Sequence, residues 1–299
     1  MKVTVAICTH NRAKDTGEAV LSVLRQNFDK NDIEIVVVDN RSADDTASVV
    51  DGLRRVHGER VRYVYEEKLG LSVARNRAIR EARGEYVLFL DDDAIASSRW
   101  VRHIVDVFER DAAIGCVGGK IDPIWEAGEP DWIPDEYRAV FTILDYTDGV
   151  KEMPAPAIPY GANVAFRKSV FDEFAPFRED LGRVGSNLLS SEESELIGRI
   201  RSAYKVYYSS YALVRHKIPK ERTTKKWFRK RIFWQGVSDA VRMQDKGAIP
   251  VAKHTIRMLQ AAATSLLLVF RSKSFFRQVF KVYYRNGSLV GTLRYNGRS

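Results

Sequence analysis

Only two cysteines, Cys8 and Cys116, occur in the 299 residues. Two thiols cannot build a disulfide framework or a zinc site, and both fall in apolar, strand-like runs. They are expected to be core thiols in a reducing compartment. Long apolar runs are missing as well. The longest, residues 259–270, is interrupted by Gln260, Thr264 and Ser265, and a bilayer-crossing helix needs ~20 residues. No signal peptide is expected, because Lys2 leads into a short strand-like run and then the polar Thr9-His10-Asn11-Arg12. Internal repeats and low-complexity segments are absent, which excludes solenoids and biased tails. Acidic residues are nearly missing from one end. Residues 215–299 hold Glu221, Asp239 and Asp245 against 20 Lys+Arg, a net of +17, while the rest of the chain stands at −8. Any anionic partner is therefore expected at the C-terminal end.

What is present is ordinary for a globular protein of one or two domains, with 45% hydrophobic and 29% charged residues. The first 120 or so residues alternate short apolar runs with helical patterns, as repeated βαβ units do. Strands are predicted at 3–8, 33–38, 61–65, 86–90 and 114–117, with helices at 14–27, from 42 onward, 72–83 and 100–110. Ser42-Ala43-Asp44-Asp45 has the pattern of a capping box opening the second helix. The run at 33–38 is nearly all β-branched, as expected for a strand covered on both faces. A mostly parallel, doubly wound sheet follows.

Residues 122–160 lose the rhythm, with Pro123, Pro130, Pro134, Pro154, Pro156 and Pro159 breaking any long element. They are expected to form an ordered, irregular excursion over the sheet. Strands at 163–166, 205–209 and 211–214 and helices from Lys168 and near Ser190 come next, and the chain is helical after residue 220.

Ligands of an open parallel sheet bind outside the carboxyl ends of its strands. Three polar clusters fall at such ends: Thr9-His10-Asn11-Arg12, Asp39-Asn40 and Asp91-Asp92-Asp93. One polar strand end is turn chemistry; three on one edge point to a site. Three adjacent carboxylates raise one another's pKa unless a countercharge is supplied, and a hard divalent cation supplies it. The alternative is a solvated acidic turn capping the next helix.

In order, segments 3–12, 36–46, 70–76, 84–93 and 160–196 resemble the family 2 glycosyltransferases with a GT-A fold. The resemblance spans roughly residues 1–215. It implies an α/β, GT-A fold, Rossmann-like, followed by a helical basic extension at 216–299. It also implies a nucleotide-diphosphate sugar donor, UDP- or GDP-linked, and inversion at the anomeric carbon. Position by position, Thr9, Asn11 and Arg12 resemble the loop against the nucleotide. Asp39 resembles the carboxylate that accepts from the base, while many relatives have a second acid where this chain has Asn40. Arg75 and Asn76 match a segment flanking the nucleotide, and Gly161 matches a close approach to the donor sugar. Asp91 and Asp93 resemble the outer residues of the D-x-D motif, with Asp92 in the variable middle. The implied cofactor is Mn²⁺ or Mg²⁺ held by Asp93 and Asp91, with His216 where some relatives place a metal- or diphosphate-proximal histidine. Glu192 and Glu193 fall on the family's acidic pair, with Glu193 as the implied base. A structural alternative makes Ser190 an N-cap with Glu193 three residues on. Glu195 is expected to face solvent.

The tail interleaves Lys217, Lys220, Arg222, Lys225, Lys226, Arg229, Lys230 and Arg231 with Trp227, Phe228, Phe233 and Trp234. A second aromatic-basic stretch runs through Phe275, Phe276, Phe280, Tyr283 and Tyr284. The pattern fits an anionic membrane surface better than nucleic acid, for which the aromatic content is excessive. Self-pairing into a homo-oligomer is the other option. The expected enzyme is thus a cytoplasmic glycosyltransferase, peripheral at the inner face of the plasma membrane. Its acceptor would be a carbohydrate or lipid-linked sugar in cell-surface polysaccharide or glycolipid synthesis. Competing readings are an inactive scaffold or membrane-binding protein, and a nucleotidyltransferase. The last typically has a Gly-rich basic loop after its first strand, which Thr9-His10-Asn11-Arg12-Ala13 lacks.

Overall fold

The computed structural model describes residues 1–185, 187–244, 247–268 and 272–295. Its contacts divide the chain into two compact units. The first comprises Met1–Ile124, Thr142–Glu179 and Glu193–Lys217; the second comprises Trp125–Phe141, Asp180–Glu192 and Ile218–Ser299.

The first unit is built on one sheet. Strands β1 (Val3–Thr9), β2 (Ile33–Asp39), β3 (Val61–Tyr65) and β4 (Tyr86–Leu90) run parallel in the order β3-β2-β1-β4. Beyond β4 the pairing turns antiparallel. The later strands are β5 (Ala94–Ala96), β6 (Ile114–Trp125), β7 (Val150–Glu152), β8 (Asn163–Arg167) and β9 (Lys205–Ile218), and the order continues β4-β8-β6-β9-β5 with β7 on β9.

Alternation along the strands feeds two cores. Val3, Val5, Ile7, Ile35 and Val37 point to one face, against helices α1 (Ala13–Leu24), α2 (Thr46–His57) and α4 (Trp100–Phe108). Ala6, Val36, Val38, Val87 and Phe89 point to the other, against α3 (Leu71–Glu81) and α6 (Glu192–Ile200), the short α5 (Val170–Glu173) lying at its margin. Every residue of β2 is buried, as its β-branched run requires. One of them is Glu34, whose carboxylate accepts from Thr4 Oγ1, Arg62 Nη1 and the Arg83 amide. That network stitches β1, β2, β3 and the entry to β4 at the sheet end away from the polar clusters.

The second unit contains α7 (Lys225–Met243), α8 (Ala248–Leu267) and α9 (Ser272–Val290). A Cβ on Gly236 would lie 1.9 Å from the Tyr284 carbonyl, and one on Gly287 1.8 Å from that of Phe233. Helices α7 and α9 therefore cross so closely that only hydrogen fits between the backbones.

Several expectations are corrected here. The tail does not stand alone as residues 216–299. Its Phe228 and Phe280 bury against Trp132, Tyr137 and Phe141, and its Val237 and Val241 against Leu181 and Leu189. Residues 125–141 thus belong to the helical unit rather than to an excursion over the sheet, and His216 stays with the sheet. The same burial withdraws the central tail aromatics from any surface role. The two predicted strands after 204 are one 14-residue strand, β9. No capping box opens α2. Ser42 Oγ instead accepts from the Asn11 amide and Asp44 Oδ2 from the Ala13 amide, so both side chains tie this turn to the loop after β1. Helix α6 opens at Glu192, directly after Ser191, so Ser190 is not its cap.

Candidate active site

The polar clusters predicted at the strand ends converge in the first unit, and the pairing of β5 with β9 explains how. Strand β5 follows the triple aspartate directly, and its antiparallel register sets Ala94 opposite His216. The Lys217 amide then donates to the Asp93 carbonyl at 2.9 Å. His216 Nε2 lies 3.1 Å from Asp93 Oδ1, with both side chains buried. Asp91, Asp93 and His216 each offer a ligand atom, and the three atoms lie within 4.8 Å of one another. His216 Nδ1 is buried with no hydrogen-bond partner among the described residues. Two carboxylates and an imidazole form a donor set that suits a divalent transition ion such as Mn²⁺.

Arg12 supplies a countercharge to the aspartates. Its Nη1 sits 3.0 Å from Asp93 and 3.2 Å from Asp15, and its Nε 3.9 Å from Asp92. Burial alone would lower the guanidinium's pKa, but Asp93, Asp92, Asp15 and Asp91 together raise it. Even so, Asp92 is pushed up to about 7, first by burial and then by Asp93, with Arg12 and a hydrogen bond from Thr9 opposing the rise. Arg12 reaches Asp92 and Asp93 of the three crowded carboxylates, and Asp91 pairs with Arg75 at 3.5 Å. Lys217, which sequence reasoning grouped with the tail, pairs instead with Asp15 and Glu18 at 2.7 and 2.8 Å.

A second cluster centres on Arg75. This residue is expected near a nucleotide, and its guanidinium is only 3% exposed. It donates to Glu193 Oε1 at 2.9 Å, reaches Asp91 Oδ1 at 3.5 Å, and lies over the rings of Phe177 and Phe89. It therefore links the first aspartate of the triplet to the acidic pair. Gly161 lies beneath that link, and a Cβ there would come within 2.1 Å of both Arg75 Nη2 and Glu193 Oε1. The glycine is required by the ion pair, a reason the sequence does not reveal. Glu192 is 2% exposed and groups with the second unit, whereas Glu193 groups with the sheet. Glu195 does not face solvent freely; it pairs with Arg199 at 2.9 Å, one helical turn on.

The remaining predicted residues divide into two sets. Asp39 is 1% exposed, and its carboxylate accepts from the Ser42 amide and the Tyr63 hydroxyl. Thr9 exchanges a hydrogen bond with Thr16, and Asn11, in a left-handed conformation at φ 55°, accepts from the Ala43 amide. Thr9 and Asp39 end β1 and β2, and Asn11 lies in the loop after β1. Asn76 is directed elsewhere, because both ends of its amide bind the Phe177 backbone, at 2.9 and 3.0 Å. It braces the ring under Arg75 instead of facing a nucleotide. Asn40 also proves structural. It donates to the Glu66 and Lys68 carbonyls and accepts from the Gly70 amide. A carboxylate could not make those two donations, which explains the amide at this position.

The sequence profile of Glycosyl transferase family 2 matches residues 4–174. A glucosyl-dolichyl phosphate glucuronosyltransferase of Haloferax volcanii is 30% identical over 245 residues, covering 81% of this chain and 77% of the relative. Among solved structures, a mannosyltransferase of Pyrobaculum calidifontis in complex with GDP-Man and Mn²⁺ superposes with a TM-score of 0.66. That match covers 97% of this chain and 86% of the other at 21% identity. Staphylococcus aureus TarS (residues 1–349) in complex with UDP-GlcNAc matches at a TM-score of 0.57 and 20% identity, over 80% of this chain and 66% of the other. The fold is the GT-A fold of these enzymes, and the chain belongs to glycosyl transferase family 2.

Proposed function

We propose that this glycosyltransferase moves a sugar from a UDP- or GDP-linked donor to an acceptor hydroxyl, with inversion, and that a divalent cation assists. The observation that carries the reading is the convergence of Asp91, Asp93 and His216 beside the Arg75–Glu193 pair. Asp91, Asp93 and His216 would hold the cation, and the imidazole favours Mn²⁺ over Mg²⁺. When bound, that ion supplies Lewis-acid neutralisation of the diphosphate leaving group. Glu193 takes the proton from the acceptor hydroxyl at its carboxylate. Arg75 orients Glu193 through their hydrogen bond and ties it to Asp91. Asp39 and Asn11 would contact the nucleoside, and buried Asp39 retains lone pairs beyond its two accepted bonds.

The activities of two relatives support a lipid-linked acceptor in glycolipid or polysaccharide assembly. One acts on glucosyl-dolichyl phosphate. Another, from Campylobacter jejuni, is a GalNAc(5)-diNAcBac-PP-undecaprenol beta-1,3-glucosyltransferase, 39% identical over 94 residues, 31% of this chain and 29% of that one. The test is nucleotide binding to purified protein with and without Mn²⁺, followed by turnover of the donor that binds. Metal-dependent binding of UDP or GDP supports the reading, and no binding of either to folded protein overturns it.

A further inference from the structure

Helix α8 presents an apolar face that neither the sequence pattern of the tail nor the catalytic reading accounts for. Ile249, Ile256, Leu259 and Leu267 are 83%, 56%, 60% and 85% exposed. Exposed Ala252 and Ala263 fall between them. The spacing of three and four residues places all six on one side of the helix. A stripe this long is unlike the isolated apolar residues that any protein surface carries.

The flanking chemistry says what would cover it. Helix α8 contains no acidic residue, and Lys253 and Arg257, both exposed, border the stripe one turn apart. A cleft of about 620 Å³ opens beside it, with Arg257, Lys281 and Arg285 among its lining residues and no Asp or Glu. Phe228 of α7 and Phe280 of α9 are meanwhile buried in the unit's own core, their rings 4.7 Å apart. No described helix is long and apolar enough to cross a membrane.

We propose that the second unit seats on an anionic lipid bilayer through this face of α8. The stripe enters the acyl boundary while Lys253 and Arg257, with Lys281 and Arg285 behind them, take lipid phosphates. The helix lies in the interfacial plane over about 30 Å. Each cation adds electrostatic attraction that salt screens. The surface is separate from the donor site, so its test is independent of the reading above.

The experiment is co-sedimentation of the full chain with vesicles of phosphatidylcholine alone, or mixed in equal parts with phosphatidylglycerol. The wild-type chain is expected to sediment with the mixed vesicles only, and less so in high salt. Ile256→Glu with Leu259→Glu should lower the bound fraction by at least about tenfold, and Lys253→Glu with Arg257→Glu should do the same. All four side chains are exposed, so the variants should keep the wild-type melting temperature and nucleotide binding. Equal sedimentation of the Ile256→Glu/Leu259→Glu variant would overturn the proposal. So would a wild-type chain that ignores both vesicles but is a dimer that this variant converts to a monomer, since a second copy would then cover the face.

Discussion

At Asp93 a buried carboxylate faces a histidine on one side and an arginine on the other, 3.1 and 3.0 Å away. A cation arriving there would compete with Arg12 for the same oxygens, so nucleotide and metal binding should be coupled. The acidic pair invites a sharper test. Glu193→Gln keeps a hydrogen-bond acceptor for Arg75 but cannot take a proton. Its turnover should fall by about 10²- to 10⁴-fold with donor affinity unchanged, as steady-state kinetics would read. Gly161→Ala should act on the same pair by a different route. Its methyl would force Arg75 and Glu193 apart, and a displacement of about 1 Å at a reacting group costs on the order of 10² in rate. Asn40→Asp should leave the chemistry and weaken the fold. Its two lost donations to the Glu66 and Lys68 carbonyls predict a loss of about 1–3 kcal/mol in urea denaturation.

Among the elements, strands were easier to read than their partners. Tyr86–Leu90 emerges with the bounds its apolar run predicts, because a strand buried throughout writes its limits into local sequence, and Val61–Tyr65 does so at the sheet edge with Tyr65 exposed. The antiparallel strand β9 reads as two pieces, since the polar Ser209-Ser210 interrupts the apolar pattern without interrupting the backbone strand. The α2 start was misread for a related reason. Ser42 and Asp44 are capping residue types, but Ser42 Oγ and Asp44 Oδ2 bond a loop about 30 positions away, which local pattern cannot register, and Asp44 Oδ1 alone stays local, accepting from the Thr46 amide. Glu34 offers an element-scale prediction. Glu34→Ala removes one partner of half-buried Arg62, which keeps Glu81, and takes the acceptor from the buried Thr4 hydroxyl, so it should destabilise the first unit by about 1–3 kcal/mol. Donor binding at the opposite strand ends should be unaffected at temperatures where the variant is folded. In the helical unit, Gly287→Ala drives a methyl into the Phe233 carbonyl and should cost about 1–3 kcal/mol, measured by thermal denaturation.

For the whole molecule, the catalytic residue types were legible and their grouping was not. Asp91, Asp93 and Glu193 stand out as acids at motif positions, yet the link between them is Arg75, 118 positions from Glu193. Only the fold shows that link, that Gly161 makes room for it, and that Asn76 props Phe177 beneath it. The basic, aromatic tail was legible as a distinct region and misassigned in detail. Aromatic residues spaced among cations look alike whether they face lipid or their own core, and burial against residues 125–141 separates the two. The central claim is that the Asp91–Asp93–His216 cluster binds a nucleoside diphosphate through a divalent cation. Calorimetric titration of UDP and GDP into the protein, with and without Mn²⁺, tests it most directly when repeated on Asp93→Ala. One nucleotide should bind the wild-type chain only with metal, and Asp93→Ala should abolish that binding without lowering the fraction of folded protein. Equal affinity with and without metal, or an unaltered Asp93→Ala titration, would contradict the account.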